Sequence, residues 1–143
     1  MEYLKDTIFY QEAIQEINYD FGNYYLFESF VVGEVNEDIV YTWKHHGKKV
    51  VEELSHIYDN NGKSLVYITN RIHEYSVVPS DWIYFFKLSY SLKGYGIVSN
   101  NPSTLFNSAL EKLFMRSRLK KFGTLEDAIV WAKSLSDNDR KIA

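Results

Sequence analysis

The sequence predicts a single-domain α/β protein. It would hold a mixed β-sheet with an N-terminal antiparallel hairpin or meander, and about four helices packed mainly on one face. Three observations carry this expectation. A β-branched and aromatic run, Ser64 to Thr69, lies between Asn60-Asn61-Gly62 and Asn70, with helix-period stretches on either side, which is the pattern of a central parallel strand. Ala13 to Val35 reads as strand throughout, and beyond Val35 helical and strand periods alternate, as crossover connections over a parallel sheet require. The 143 residues, 45% hydrophobic and 24% charged, fit one domain with its own core.

Taken in order, residues 1–13 lack a clean period and read as an N-terminal extension with room for a short helix. Ile14, Ile17, Tyr19 and Phe21 form a first strand, Gly22-Asn23 supplies the turn, and Tyr24 to Phe27 and Phe30 to Val35 follow as two more strands. Asn36 suits an N-cap and Glu37 and Asp38 suit the positive end of a helix dipole, so a long helix is expected from about Glu37 to Tyr58. Val50, Val51 and Leu54 mark its inner face, and Asn60 to Gly62 stop it. Pro79 or Ser80 opens a second helix that ends at Gly94. Tyr95 to Ser99 is a strand, and Asn101-Pro102-Ser103 starts a third helix. Lys120 to Phe122 reads as a short last strand, and Thr124 to Asp127 as a capping box before Leu125, Ala128, Ile129, Ala132 and Leu135. The domain thus spans 14–135, with a polar C-terminal tail over 136–143.

Composition narrows the function classes. A formal net charge of -3 offers no general attraction to nucleic acid or an anionic membrane, and the absence of cysteine rules out disulfides, thiol catalysis and zinc-thiolate sites. The start of the chain lacks the basic residues and apolar run of a signal peptide, and no stretch of about eighteen apolar residues predicts membrane insertion. A cytoplasmic protein is expected. The 17% of aromatic residues suits a ring-rich core, or else a groove for a small apolar ligand.

Ligands and partners of open α/β sheets gather at the carboxyl ends of parallel strands, which places the candidate site on the loop Asn70 to Trp82. Arg71 can fork onto a carboxylate or phosphate, Glu74 can pair with it, and Tyr75 and Trp82 can supply rigid contact area. His73, Ser76 and Asp81 bring the residue types of a hydrolase triad, but no nucleophile elbow accompanies them, so no catalytic residue is assigned. Ser80 at a helix start reads as a cap, and a phosphate there would also be favoured by the free N–H groups. His45, His46 and His56 lack the spacing of a metal pair, and neither a metal nor a cofactor is expected. Lys112, Arg116, Arg118, Lys120 and Lys121 suit the C-terminal end of a helix, or a patch for an acidic partner.

Three stretches, FGNYYLFESFVVGEV (21–35), NRIHEYSVVPSDW (70–82) and FGTLEDAIVW (122–131), carry a family resemblance. The chain resembles STAS-like proteins of the sporulation anti-sigma-factor-antagonist (SpoIIAA-like) superfamily, of the small bacterial STAS/SEC14 type. That resemblance implies a mixed sheet with helices on one side and a role in binding rather than catalysis. In signalling members a kinase phosphorylates a Ser within an Asp-Ser-Ser-Gly pattern between the central strand and the next helix. Here that region reads VPSDW, with Ser80 near the place and the pattern absent. The expected function is therefore a non-enzymatic module that binds a protein partner through Arg71, His73, Glu74, Tyr75, Ser76, Ser80 and Trp82. The alternative is a carrier or sensor of a small apolar or lipid-like ligand held between sheet and helices. An exposed edge in the first hairpin would support a homodimer.

Overall fold

The computed structural model describes residues 2–58, 63–73, 76–77, 92–100 and 119–142. Its strands are β1 (Gln15–Tyr19), β2 (Gly22–Leu26), β3 (Phe30–Val35), β4 (Val40–Tyr41), β5 (Val66–Asn70), β6 (Ser76–Val77), β7 (Gly94–Val98) and β8 (Leu119–Phe122). Two α-helices are described, α1 (Lys48–Tyr58) and α2 (Leu125–Ile142). Six strands make one mixed sheet in the order β1-β2-β3-β5-β7-β8, while β4 and β6 pair separately as a short parallel ladder. The first three pair antiparallel, and β3, β5, β7 and β8 then run parallel. The fold class is thus α/β with a mixed sheet, as expected. The second helix, expected from Pro79 or Ser80 to Gly94, and the third, expected from Asn101, fall mostly outside the described residues; at the described end of the second, Leu92 and Lys93 are not helical and Gly94 opens β7.

Burial follows position in the sheet. Every residue of β3, β5 and β7 is buried, as strands covered on both faces must be, whereas the edge strand β1 keeps Gln15 and Asn18 exposed. Successive side chains point to opposite faces, so each central strand feeds two cores. One holds Tyr24, Val31, Tyr67, Tyr95 and Ile97 beneath Val50, Val51 and Leu54 of α1. The other holds Tyr25, Val32, Val66, Ile68 and Val98 beneath Leu125, Ala128, Ile129, Ala132 and Leu135 of α2.

The faces of the expected second and third helices fall outside the described residues, but the two described helices, α1 and α2, lie on opposite faces, so the expected helices do not all share one. The reason is topological. Strand β8 is the last of the sheet, so the helix after it has no further strand to reach and is free to return over the opposite face, whose Val and Ile residues would otherwise meet water.

Three local expectations change as well. The first hairpin turns at Asp20-Phe21, because Tyr19 pairs with Gly22. Gly22 instead opens β2 at a point where a Cβ would stand 2.6 Å from the Glu34 carbonyl oxygen, so glycine is required by close strand approach rather than by the turn. Asn36 does not cap a helix: its side-chain amide donates to the Asp20 carbonyl and its backbone N–H to that of Phe21, which ties down the hairpin. Asp38 is left-handed at φ 61° and Val40–Tyr41 pair with β6, so helical structure begins only at a π-helical turn, Trp43–Gly47, where Thr42 Oγ1 accepts from the His45 backbone N–H.

At the other end, Thr124 Oγ1 accepts from the Asp127 N–H at 3.2 Å, and the five residues expected to form the apolar stripe of α2 are the five it buries among its described side chains. This helix continues to Ile142 rather than ending near Leu135. The added turns carry Asp, Asn, Arg and Lys and no apolar period by which a sequence reading could follow them.

Candidate functional site

Parallel pairing brings the carboxyl ends of β3, β5, β7 and β8 to one edge of the sheet. The ladder runs on past the strands there: the Arg71 N–H donates to the Val98 carbonyl, and the Ser99 N–H to that of Phe122. At this edge Glu34, next to last in β3, and Asn70, last in β5, are neighbours one step beyond the paired Gly33 and Thr69. Both side chains are buried, Glu34 at 4% and Asn70 at 1% exposure.

The pair is bonded internally and to the start of the chain. Asn70 Nδ2 donates to Glu34 Oε2 at 2.8 Å and to the Glu2 carbonyl at 2.9 Å. The Leu4 backbone N–H donates to the same Glu34 oxygen at 2.8 Å. Leu4 itself is fully buried in the core shared by Tyr25, Val32 and Ile68. Beside it the Tyr3 hydroxyl and His73 Nε2 share a hydrogen bond of 2.8 Å, with the two rings tilted against each other. Residues 2–4 thus sit on this edge, and the segment through Glu12, with 3₁₀ turns Leu4–Asp6 and Ile8–Glu12, continues as a strap down the α2 side of the sheet to Glu16, Tyr25 and Lys133.

Burial raises the Glu34 carboxyl above the ordinary carboxylate range. The Leu4 N–H, the Asn70 amide and the nearby His73 pull it back down without cancelling the effect. Asn70 Oδ1 is also buried and has no hydrogen-bond partner. A buried carboxylate and an orphaned amide oxygen are costly ways to close an apolar core, since each unsatisfied polar atom costs about 1–3 kcal/mol.

Of the residues expected to form the site, Arg71 and His73 stand at this edge, half-buried, and Ser76 lies in β6 opposite Val40. Glu74, Tyr75, Ser80 and Trp82 lie outside the described residues, as do Asp81, Lys112, Arg116 and Arg118. Asn70 opens the expected loop but was given no role there, and Glu34, Tyr3 and Leu4 were not expected. A signal for Glu34 existed: a lone charge in the otherwise apolar FVVGEV demands a partner inside the fold. For the strap there was none, because Leu4 alone is fully buried and Phe9 only partly so, too few to set a period.

The opposite face carries a second polar cluster, enclosed in rings. Tyr19 stacks on Phe21, Tyr67 on Tyr95, and Tyr41 on His46. The fully buried Tyr24 places its hydroxyl 3.1 Å from that of Tyr41. His46 Nδ1 accepts from the Thr42 N–H at 2.9 Å, which leaves the neutral ring's proton on Nε2. Burial lowers the His46 pKa, helped by His45 and Lys49. His45 and His46 do not converge, and among the described residues no three His, Asp or Glu side chains gather as a metal site. Nor is any described helix long and apolar enough to cross a membrane.

Fold and edge together define a mixed-sheet α/β protein with a polar, strap-covered carboxyl edge. No family model matches the chain, and neither a curated protein nor a solved structure does.

Proposed function

We propose that this chain is a non-enzymatic, STAS-like interaction module that binds a protein partner at the carboxyl edge of its parallel strands. The observation that carries this reading is the gathering there of Glu34, Asn70 and His73, with the Arg71 backbone on the same edge, beneath a segment of the chain's own backbone already seated on it. The ladder between β4 and β6 supports it further, because it ties the loop after β3 to the loop after β5 and so holds Ser76 in register with Val40. A cytoplasmic setting and a homodimer through the edge strand β1 belong to the same proposal. The carrier of an apolar ligand is the weaker reading, because Tyr19, Phe21, Tyr24, Tyr41, Tyr67 and Tyr95 pack ring against ring.

Affinity capture with the intact chain tests this. Arg71→Glu and Trp82→Ala are expected to lose the captured partner while retaining the native circular dichroism spectrum, and recovery that survives both changes removes the loop from the interface. Native mass spectrometry separates the two readings: an added mass lost on denaturation would favour the ligand carrier.

A further inference from the structure

The strap is held in a manner that defines what else could lie in its place. Glu34 and Asn70 contact only its backbone: the carboxylate takes the Leu4 N–H, and the amide gives a hydrogen to the Glu2 carbonyl. The one strap side chain buried completely is Leu4. Recognition of this kind reads a main-chain donor, a main-chain acceptor and one leucine, and it is indifferent to most of the remaining sequence. Apart from the bonds of Glu2 and Leu4 to Asn70 and Glu34, the strap's backbone hydrogen bonds among the described residues, such as Asp6 to Tyr3 and Thr7 to Leu4, stay within the segment until Ile14 bonds Leu26. Its other ties are surface pairs, Lys5 and Tyr10 to Glu16 and Glu12 to Lys133, which contribute little when exposed. Ile8 remains 76% exposed. Finally, the seat is left incompletely satisfied, because Asn70 Oδ1 accepts nothing from the strap. A ligand with one further N–H at that point would complete it.

We propose that Glu34, Asn70 and the seat of Leu4 form a peptide-binding site, filled in this structure by residues 2–7, and that a leucine-bearing segment of a protein partner takes their place. This rests on reading the carboxyl edge as a partner surface, and it names what that surface recognises. The strap is then an intramolecular competitor. A site closed for most of the time binds more weakly in proportion to its open fraction, so loosening the strap strengthens binding in trans.

The test uses the full chain and a fluorescent synthetic peptide with the sequence of residues 1–12. By fluorescence anisotropy, Leu4→Ala protein is expected to bind this peptide at least about tenfold more tightly than the unaltered protein. Adding Asn70→Ala is expected to remove the gain, and a peptide carrying Leu4→Asp is expected not to bind. Hydrogen exchange on the unaltered protein gives an independent reading that does not depend on any variant folding. Excess peptide should speed exchange of residues 2–12 and leave β3 and β5 unchanged. No anisotropy change with folded Leu4→Ala protein, or unaltered exchange of residues 2–12 at saturating peptide, overturns the proposal. Failure of the broader reading looks different: peptide binding that needs Asn70, beside partner capture that ignores Arg71 and Trp82, keeps this site and discards the loop.

Discussion

Gly33 and Glu34 are consecutive in β3 and face opposite sides of the sheet, and the two surroundings solve the problem of buried polarity differently. On the Gly33 side the missing side chain makes room for Tyr24 and Tyr67, whose rings fill the space and whose hydroxyls lie among other phenols. On the Glu34 side a carboxylate is buried, relies on the chain's first residues for one of its donors, and shares its neighbourhood with an orphaned oxygen. The first region is built for packing. The second keeps an unmet hydrogen bond within reach of a segment that need not stay.

The comparison can be broken at several points, with effects that fall in size. Leu54→Ala, under the ring cluster, should cost about 3 kcal/mol in urea unfolding, the usual result for a buried leucine in a rigid core. Leu4→Ala removes an equally buried side chain, yet it should cost less in global stability, because the strap can detach without unfolding the sheet. Equal losses would show that the strap is ordinary core. Gly33→Ala places a Cβ 2.7 Å from Tyr24 Cε1 and 2.9 Å from the Tyr67 hydroxyl oxygen, and should cost about 2 kcal/mol in the same measurement. Tyr24→Phe should cost about 1 kcal/mol, the typical net value of one hydrogen bond.

The smallest effect sharpens the contrast most, because acid should act on the two regions with opposite sign. Glu34 has a raised value in the folded state, so its contribution to stability is full at low pH and is lost as pH rises through that value. His46 has a lowered value, so its contribution is present above the unfolded value and is lost as pH falls through the folded one. Urea midpoints followed from about pH 7 down to about pH 4 should therefore fall more steeply for Glu34→Gln than for the unaltered protein, and less steeply for His46→Gln. Parallel curves for all three proteins would mean that neither group feels its surroundings as described.

The sequence announced the elements whose packing is periodic and missed those set by a single tertiary contact. The apolar stripe of α2 was legible because five inward residues recur at helical spacing behind a capping threonine. The parallel strand β5 was legible because an unbroken apolar run between breakers has few alternatives. The early start expected for α1 failed because Asn36 and Asp38, good helix-start residues in isolation, are used here by the hairpin and by a left-handed turn. The turn at Gly22-Asn23 failed because a glycine needed for strand approach looks the same in sequence as one needed for reversal. At the candidate site Arg71 and His73 could be placed from topology alone. The Glu34–Asn70 pair joins residues 36 apart, and its third partner lies at the other end of the hairpin meander, so no local pattern could reveal it.

The course of α2 has a practical consequence for any work on the molecule. The helix starts just after the carboxyl end of β8, and Leu135 comes to lie over Gly94 at the opposite end of the sheet, so its 18 residues, about 27 Å long, carry the chain away from the edge where Glu2 and Leu4 are seated. Polypeptide fused ahead of Glu2 emerges beside the Asn70 amide and would crowd it or hold the first residues in place. An affinity handle or surface tether attached beyond α2 leaves that end of the sheet unobstructed, and immobilised protein should be oriented in this way before its binding is measured.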